Sequence, residues 1–178
     1  MSDALQALYE GDLERATAAL PPDDELSVFE AAAFGRVERL RSILGEDPSQ
    51  AAAVANDGFT ALHLAVYAEQ IEAARILIDH GADVDVRSTG SIARVPPLGT
   101  AAFVRSVPLA QLLLDAGADV DGQGEGGFTA LHSAAMNDDA ELVELLLERG
   151  ADRRVENAKG RRPADLATSK RVHALLAE

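Results

Sequence analysis

The segment Asp57-Gly58-Phe59-Thr60-Ala61-Leu62-His63 returns almost unchanged as Gly126-Gly127-Phe128-Thr129-Ala130-Leu131-His132. Eighteen residues after each histidine comes Gly-Ala-Asp, at Gly81 and at Gly150, and a third Gly-Ala-Asp begins at Gly117, 18 residues after Gly99. A chain that repeats itself at this period is not free to collapse around one arbitrary core. Each copy is too short to bury its own apolar face, so neighbouring copies must stack. Every copy reads as a turn, a short helix, a tight connection, a longer Leu-rich helix and a glycine.

Local chemistry supports that order. Thr60 and Thr129 stand where an N-cap belongs, with hydroxyls able to accept from the orphan N–H groups of an inner helix. Leu62, Leu64 and Ala65 begin such a helix. Ile71 to Ile78, and Leu142 to Leu147, carry the broad apolar face of an outer helix. Gly81, Gly117 and Gly150 end the outer helices, where a positive φ is expected and glycine adopts it without strain. The composition agrees: 34 Ala and 23 Leu against seven aromatics in 178 residues. Those are strong helix formers, and Ala lets helices approach closely. An all-α fold is therefore expected.

The pattern resembles the ankyrin repeat, whose unit of about 33 residues carries Thr-Pro-Leu-His and closes on Gly-Ala-Asp-Val-Asn. Here Thr-Ala-Leu-His occurs twice and Gly-Ala-Asp-Val-Asp twice, at Gly81–Asp85 and Gly117–Asp121. The resemblance implies a solenoid of five to six stacked helix-turn-helix units with β-hairpin-like fingers, as one domain over residues 1–178. Repeats are assigned to 23–56, 57–89, 90–125 and 126–157. Residues 1–22 read as an N-terminal capping helix pair turning at Gly11, and 158–178 as a truncated C-terminal cap whose last helix is Lys170–Ala177. In the first repeat, Glu30–Gly35 supplies the inner helix and its turn, and Val37–Leu44 the outer helix.

Catalysis finds little support. His63 and His132 belong to the repeat signature, and each is expected to tie its own turn to the neighbouring one. His80 and His173 have no cysteine or carboxylate partner at ligand spacing. Gly122 to Gly127 lacks the Gly-Lys-Ser/Thr of a phosphate loop and reads as a flexible hairpin tip. Asp83, Asp85, Asp119 and Asp121 recur with the repeat as turn formers. No enzyme, cofactor or metal site is expected.

Binding is the function the resemblance implies, on the concave face formed by finger tips and exposed inner-helix positions. Carried over position by position, the variable recognition columns are Tyr9, Glu10, Ala33, Phe34, Tyr67, Ala68, Phe103, Val104, Met136 and Asn137, with Phe59, Val95, Phe128 and Arg161 just before the cap. Six of the seven aromatics, all but Phe29, fall in these columns. The same residues have a structural alternative, in which Phe59 and Phe128 fold onto their own fingers and Tyr9 and Phe34 seal the N-terminal cap. The third repeat departs most. Its finger, Val86 to Val95, is about three residues longer, carries Arg87, Ile92 and Arg94, and places Pro96 and Gly99 in the Thr and His columns. A mobile, functional finger is expected. The candidate partner-binding set is thus Phe59, Tyr67, Arg87, Ile92, Arg94, Val95, Phe103, Val104, Phe128 and Met136.

Charge and apolar patterning narrow the partner. The chain is formally -14, a poor match for nucleic acid. From Arg149 onward, however, eight basic residues face four acidic ones, whereas the preceding chain has eight against 26. No apolar run approaches the ~20 residues of a membrane span, and the N-terminus lacks the basic region of a signal peptide. Without cysteine the chain suits a reducing compartment, so a cytoplasmic monomer binding a protein is expected. The alternative is an acidic inhibitor or decoy of a basic protein surface. Salt separates the two, because a decoy loses affinity steeply between low and physiological ionic strength while an apolar groove does not. For the finger, amide hydrogen exchange along residues 87–94 is expected to outpace that along 57–60; equal protection would contradict its mobility.

Overall fold

The structure, a computed structural model, describes residues 2–89 and 94–177. The chain forms two compact units by its contacts, one of residues 2–83 with Thr89 and one of residues 84–88 with 94–177. Among the described residues there is no β-strand, only an isolated bridge between Val54 and Thr60. Ile92 and its neighbours 90, 91 and 93, the middle of the long finger, lie outside the described residues, and so does the expectation of its mobility.

The first unit holds three antiparallel helix pairs. α1 (Asp3–Tyr9) and α2 (Leu13–Ala18) turn at Gly11, as the sequence implies. α3 (Val28–Ala33) pairs with α4 (Val37–Glu46), and α5 (Ala61–Tyr67) with α6 (Ile71–Asp79). α3 lies on α5 and α4 on α6. The inner helices bury almost their whole length, because Ala31, Ala32, Ala61 and Ala65 are fully covered and let the layers close up. The outer helices bury one stripe only, Leu40 and Leu44 in α4 and Ala73, Ala74, Ile76 and Leu77 in α6.

The second unit repeats the scheme. α7 (Pro97–Phe103) pairs with α8 (Val107–Asp115), and α9 (Ala130–Met136) with α10 (Ala140–Glu148). α7 packs on α9 and α8 on α10. α11 (Lys170–Leu176) then covers α10. In this terminal unit the inner helix is reduced to one 3-10 turn, Pro163–Asp165, so the shortening falls on both helices rather than on the last one alone.

Inner-helix caps set the register of the whole chain. They fall at Ser27, Thr60, Pro96, Thr129 and Arg162. Ser27 forms a capping box with Glu30, donating its N–H to Glu30 Oε2 at 2.9 Å while its hydroxyl accepts from Glu30 N–H at 3.4 Å. The first inner helix therefore starts at Val28, two residues earlier than the sequence reading placed it.

The fingers share one closing rung. Ala55 N–H donates to Phe59 O at 2.8 Å, Gly124 N–H to Phe128 O at 2.7 Å and Asn157 N–H to Arg161 O at 2.9 Å. In the third repeat the rung runs from Ser88 N–H to Val95 O at 3.1 Å. It spans seven residues where its sisters span four, which is the three-residue insertion seen in the sequence. The tip at Gly126 is tied down, because its carbonyl accepts from Ala158 N–H at 2.8 Å. Gly127 beside it has φ +73°, and a Cβ there would meet Ala158 N at 3.1 Å, so glycine permits both the turn and the approach of the next finger.

The turn joining inner to outer helix takes a left-handed residue in each full repeat: Gly35 (φ 62°), Glu69 (φ 57°), Arg105 (φ 61°) and Asp138 (φ 52°). Three of these four are not glycine, and the conformation costs an L-residue about 1–2 kcal/mol. Asp138 is compensated. Its carboxylate accepts from Thr168 N–H at 2.9 Å and Ser169 N–H at 2.8 Å, and also from the Thr168 hydroxyl. These bonds, led by the Thr168 hydroxyl, lower its pKa to about 2. Glu69 makes no comparable side-chain bond among the described residues.

Two outcomes follow for chemical or thermal unfolding. Glu69→Gly raises stability by about 1 kcal/mol, whereas Asp138→Gly lowers it despite the same relief of backbone strain. Because the Asp138 carboxyl is depressed in the fold, its stabilisation is complete above its unfolded pKa near 3.9 and is lost as pH falls towards 2. The gap in melting temperature between wild type and Asp138→Asn should close over that window; a constant gap would contradict it.

Candidate protein-interaction surface

The Thr-x-x-His signature builds a bracket around the start of each inner helix. In α9, the Thr129 hydroxyl accepts from His132 N–H at 3.4 Å and donates to His132 Nδ1 at 2.9 Å, while Thr129 N–H approaches the same nitrogen at 3.2 Å. Nδ1 is therefore the acceptor nitrogen, and Nε2–H donates to Arg161 O at 3.0 Å. Burial holds this imidazole's pKa below the usual value, only partly opposed by the bond to Arg161 O. The ring is neutral, fully covered, and spends both nitrogens on structure. Thr60 and His63 make the same bracket in α5, with the hydroxyl 2.8 Å from Nδ1. In α7, Pro96 and Gly99 supply no such bracket, and the buried Thr100 hydroxyl has no hydrogen-bond partner among the described residues.

The recurring aspartates are also spent on structure. Asp85 accepts from Asp119 N–H at 2.8 Å, Asp119 from Asp121 N–H at 3.1 Å, and Asp121 from Asp152 N–H at 3.0 Å. They form a ladder along the second unit. Among the described residues no cluster of three His, Asp or Glu side chains is placed to hold a metal ion, and no helix is long and apolar enough to cross a membrane.

The recognition columns divide into two groups. In the first unit they are occupied internally. Tyr9 lies 5.6 Å from Tyr67 and 6.1 Å from Phe59, ring centre to ring centre, and its hydroxyl donates to Asp57 Oδ2 at 3.1 Å. Phe59 stands edge-on to His63 at 5.7 Å. With Phe29, Phe34 and Ala68, these rings pack over Leu5, Leu8, Ala33 and Leu64. Burial, then the nearby Asp57 carboxylate, pushes the Tyr9 phenol far above its usual pKa. Tyr9 of the N-terminal helix pair thus lies against the recognition columns of the 57–89 repeat.

In the second unit the columns face outward. Phe103 is 67% exposed and Met136 52% exposed, at the ends of the neighbouring helices α7 and α9. Asn137, beside Met136, donates from Nδ2 to Ala102 O at 3.4 Å and so holds the two helix ends together. Arg105 and Asp139 form an ion pair at 3.6 Å in the adjoining turns. Phe128 is half-buried, 5.5 Å from the His132 ring. Val104 and Val95 are half-buried, and Arg87 and Arg94 are exposed. Asp138 was missed as a structural tie; its signal was an aspartate in the column that Gly35 occupies in the first repeat.

The description "Ankyrin repeats (3 copies)" matches residues 2–93 and again 94–177, nearly the whole chain. The chain belongs to the ankyrin-repeat family. It is 41% identical over 123 residues to the human B-cell lymphoma 3 protein, covering 67% of this chain and 26% of that protein. Ankyrin repeat and SOCS box protein 11 of Danio rerio is 30% identical over 118 residues, 65% of this chain and 38% of its own length. The alpha-latrocrustotoxin-Lt1a of Latrodectus tredecimguttatus is 33% identical over 112 residues, 62% of this chain and 8% of the toxin. The ankyrin chain thus spans well under half of each of these relatives. Ankyrin repeats are in general protein-interaction modules, so the exposed Phe103 and Met136 are the residues to examine for binding.

Two measurements check the internal roles. Tyr67→Ala removes a ring from the aromatic cluster and should destabilise by about 1 kcal/mol or more. For His132, the neutral ring's stabilisation is complete above its unfolded pKa of about 6.5 and declines below it. The melting-temperature gap between wild type and His132→Asn should therefore narrow from pH 7.5 to pH 5; an unchanged gap would show that the imidazole does not titrate in the unfolded chain alone.

Proposed function

We propose that the chain is a non-enzymatic binding module that holds a protein partner on the face that is concave in ankyrin scaffolds, with its anchor at Phe103 and Met136. The observation that carries this reading is their exposure. Two large apolar side chains in one column, one repeat apart, stand in solvent while nearly every Leu of the inner helices is buried. Aromatic and Met side chains in that setting are what an interface core favours.

The mechanism is preorganisation. The Asn137–Ala102 bond and the packing of α7 on α9 fix the two anchors before a partner arrives, so little ordering entropy is lost on binding. Phe59 and Tyr67 contribute indirectly, as part of the cluster that seals the first unit. The acidic-decoy alternative draws support only from net charge, whereas the apolar anchors are a specific feature that a decoy does not need.

The test is capture from a lysate of the encoding organism by wild type and by Phe103→Ala/Met136→Ala. Both side chains are exposed, so the variant's melting temperature should stay within about 2 °C of wild type. Bound protein should fall at least tenfold in the double variant. Undiminished capture by the double variant would overturn the proposal.

A further inference from the structure

We infer that the partner segment docking on the second unit is an acidic peptide, with an apolar side chain on Phe103 and Met136 and its Asp or Glu residues against Arg94, Lys159 and Arg161. The inference rests on the reading above, that Phe103 and Met136 form the floor. What it adds is the chemistry of the flank.

That flank runs from Arg94 and Val95, at the described end of the long finger, along the two fingers that follow. Arg94 O and Val95 Cγ1 both lie 3.1 Å from the point where a Cβ on Gly124 would stand, so the first finger rests against the second. Ala158 N–H donates to Gly126 O at 2.8 Å, joining the second to the third. Arg94, Lys159 and Arg161 are all exposed along this row. Arg162 is neutralised by Glu156 at 3.4 Å. Among the described residues, the other three cations have no carboxylate in ion-pair reach, and Glu125 is the acid on the tip between them.

A net-positive row beside an apolar floor is unexpected on a chain of formal charge -14. The acids beside the floor are already engaged: Asp139 pairs with Arg105, and the Asp138 carboxylate accepts from Thr168 and Ser169. Screening at physiological salt confines the effect of carboxylates farther away to about 8 Å. Spacing can also be read. The bond from His132 Nε2 to Arg161 O places Arg161 beside the first turn of α9, and Met136 ends that helix. Six helical rises separate the ends, about 9 Å. An extended peptide advances about 3.3 Å per residue, so the acid belongs some three to five residues from the apolar anchor.

A displayed library of random 12-residue peptides selected on the folded full chain at 0.15 M NaCl tests this, with enriched peptides resynthesised and titrated by fluorescence anisotropy. Enriched sequences should place Leu, Ile, Phe or Met three to five residues from Asp or Glu. Replacing those acids by Asn or Gln should weaken binding at least tenfold. Arg94→Glu/Lys159→Glu/Arg161→Glu should do the same with unchanged circular dichroism, and Arg161→Lys should retain binding. Neutral or basic enriched sequences, no enrichment, stronger binding of a single-stranded 20-nucleotide oligomer, or a triple variant that binds the acidic peptide like wild type would each overturn the inference. The underlying reading fails separately: if Phe103→Ala/Met136→Ala abolishes binding while the triple variant does not, the floor stands and the acidic flank falls. If the double variant binds normally, the floor itself falls.

Discussion

A buried, neutral imidazole does two jobs at once in this protein. His132 closes the first turn of its own helix through Nδ1 and lashes the backbone of the following finger through Nε2. Protonation of Nδ1 would remove the acceptor that closes the first turn while leaving the Nε2–H bond to Arg161 O in place, and burial suppresses that protonation. Because the same ring fixes both a helix start and the next finger, it sets where α9 begins, and a seven-residue helix then sets where Met136 emerges. The position of an exposed side chain at one end of the helix thus follows from hydrogen bonding at the other.

Much of this was legible before any coordinates. The Thr-Ala-Leu-His recurrence marked the caps, the Gly-Ala-Asp spacing marked the ends of outer helices, and both appear where the sequence put them, with Gly81, Gly117 and Gly150 at φ near +85° to +90°. The Ser27–Glu30 box was equally readable as Ser-x-x-Glu, and the start of α3 shifts two residues because of it. Less legible was the strain column. Glu69, Arg105 and Asp138 adopt left-handed conformations that their side chains disfavour, and tertiary packing of successive turns imposes this over local preference.

The aromatics show where column reasoning stops. Tyr67 and Phe103 occupy the same column, yet one is half-buried against the core cluster and the other stands in solvent. The difference arises from a neighbour that periodicity does not reveal. The N-terminal helix pair brings Tyr9 within ring-contact distance of Phe59 and Tyr67. In the second unit, the residues flanking Phe103 and Met136 are a half-buried valine, a bonded Asn and an Arg–Asp pair, none of which covers them. Repeat register assigned the candidates, and packing selected among them.

The chain contains two methionines, Met1 and Met136, so 13C-methyl labelling of methionine leaves one internal reporter in the proposed floor. Addition of a captured partner or selected peptide to the labelled full chain should shift or broaden the Met136 methyl resonance, and Phe103→Ala should weaken that response. Saturable binding that leaves the Met136 methyl signal unmoved would contradict the account.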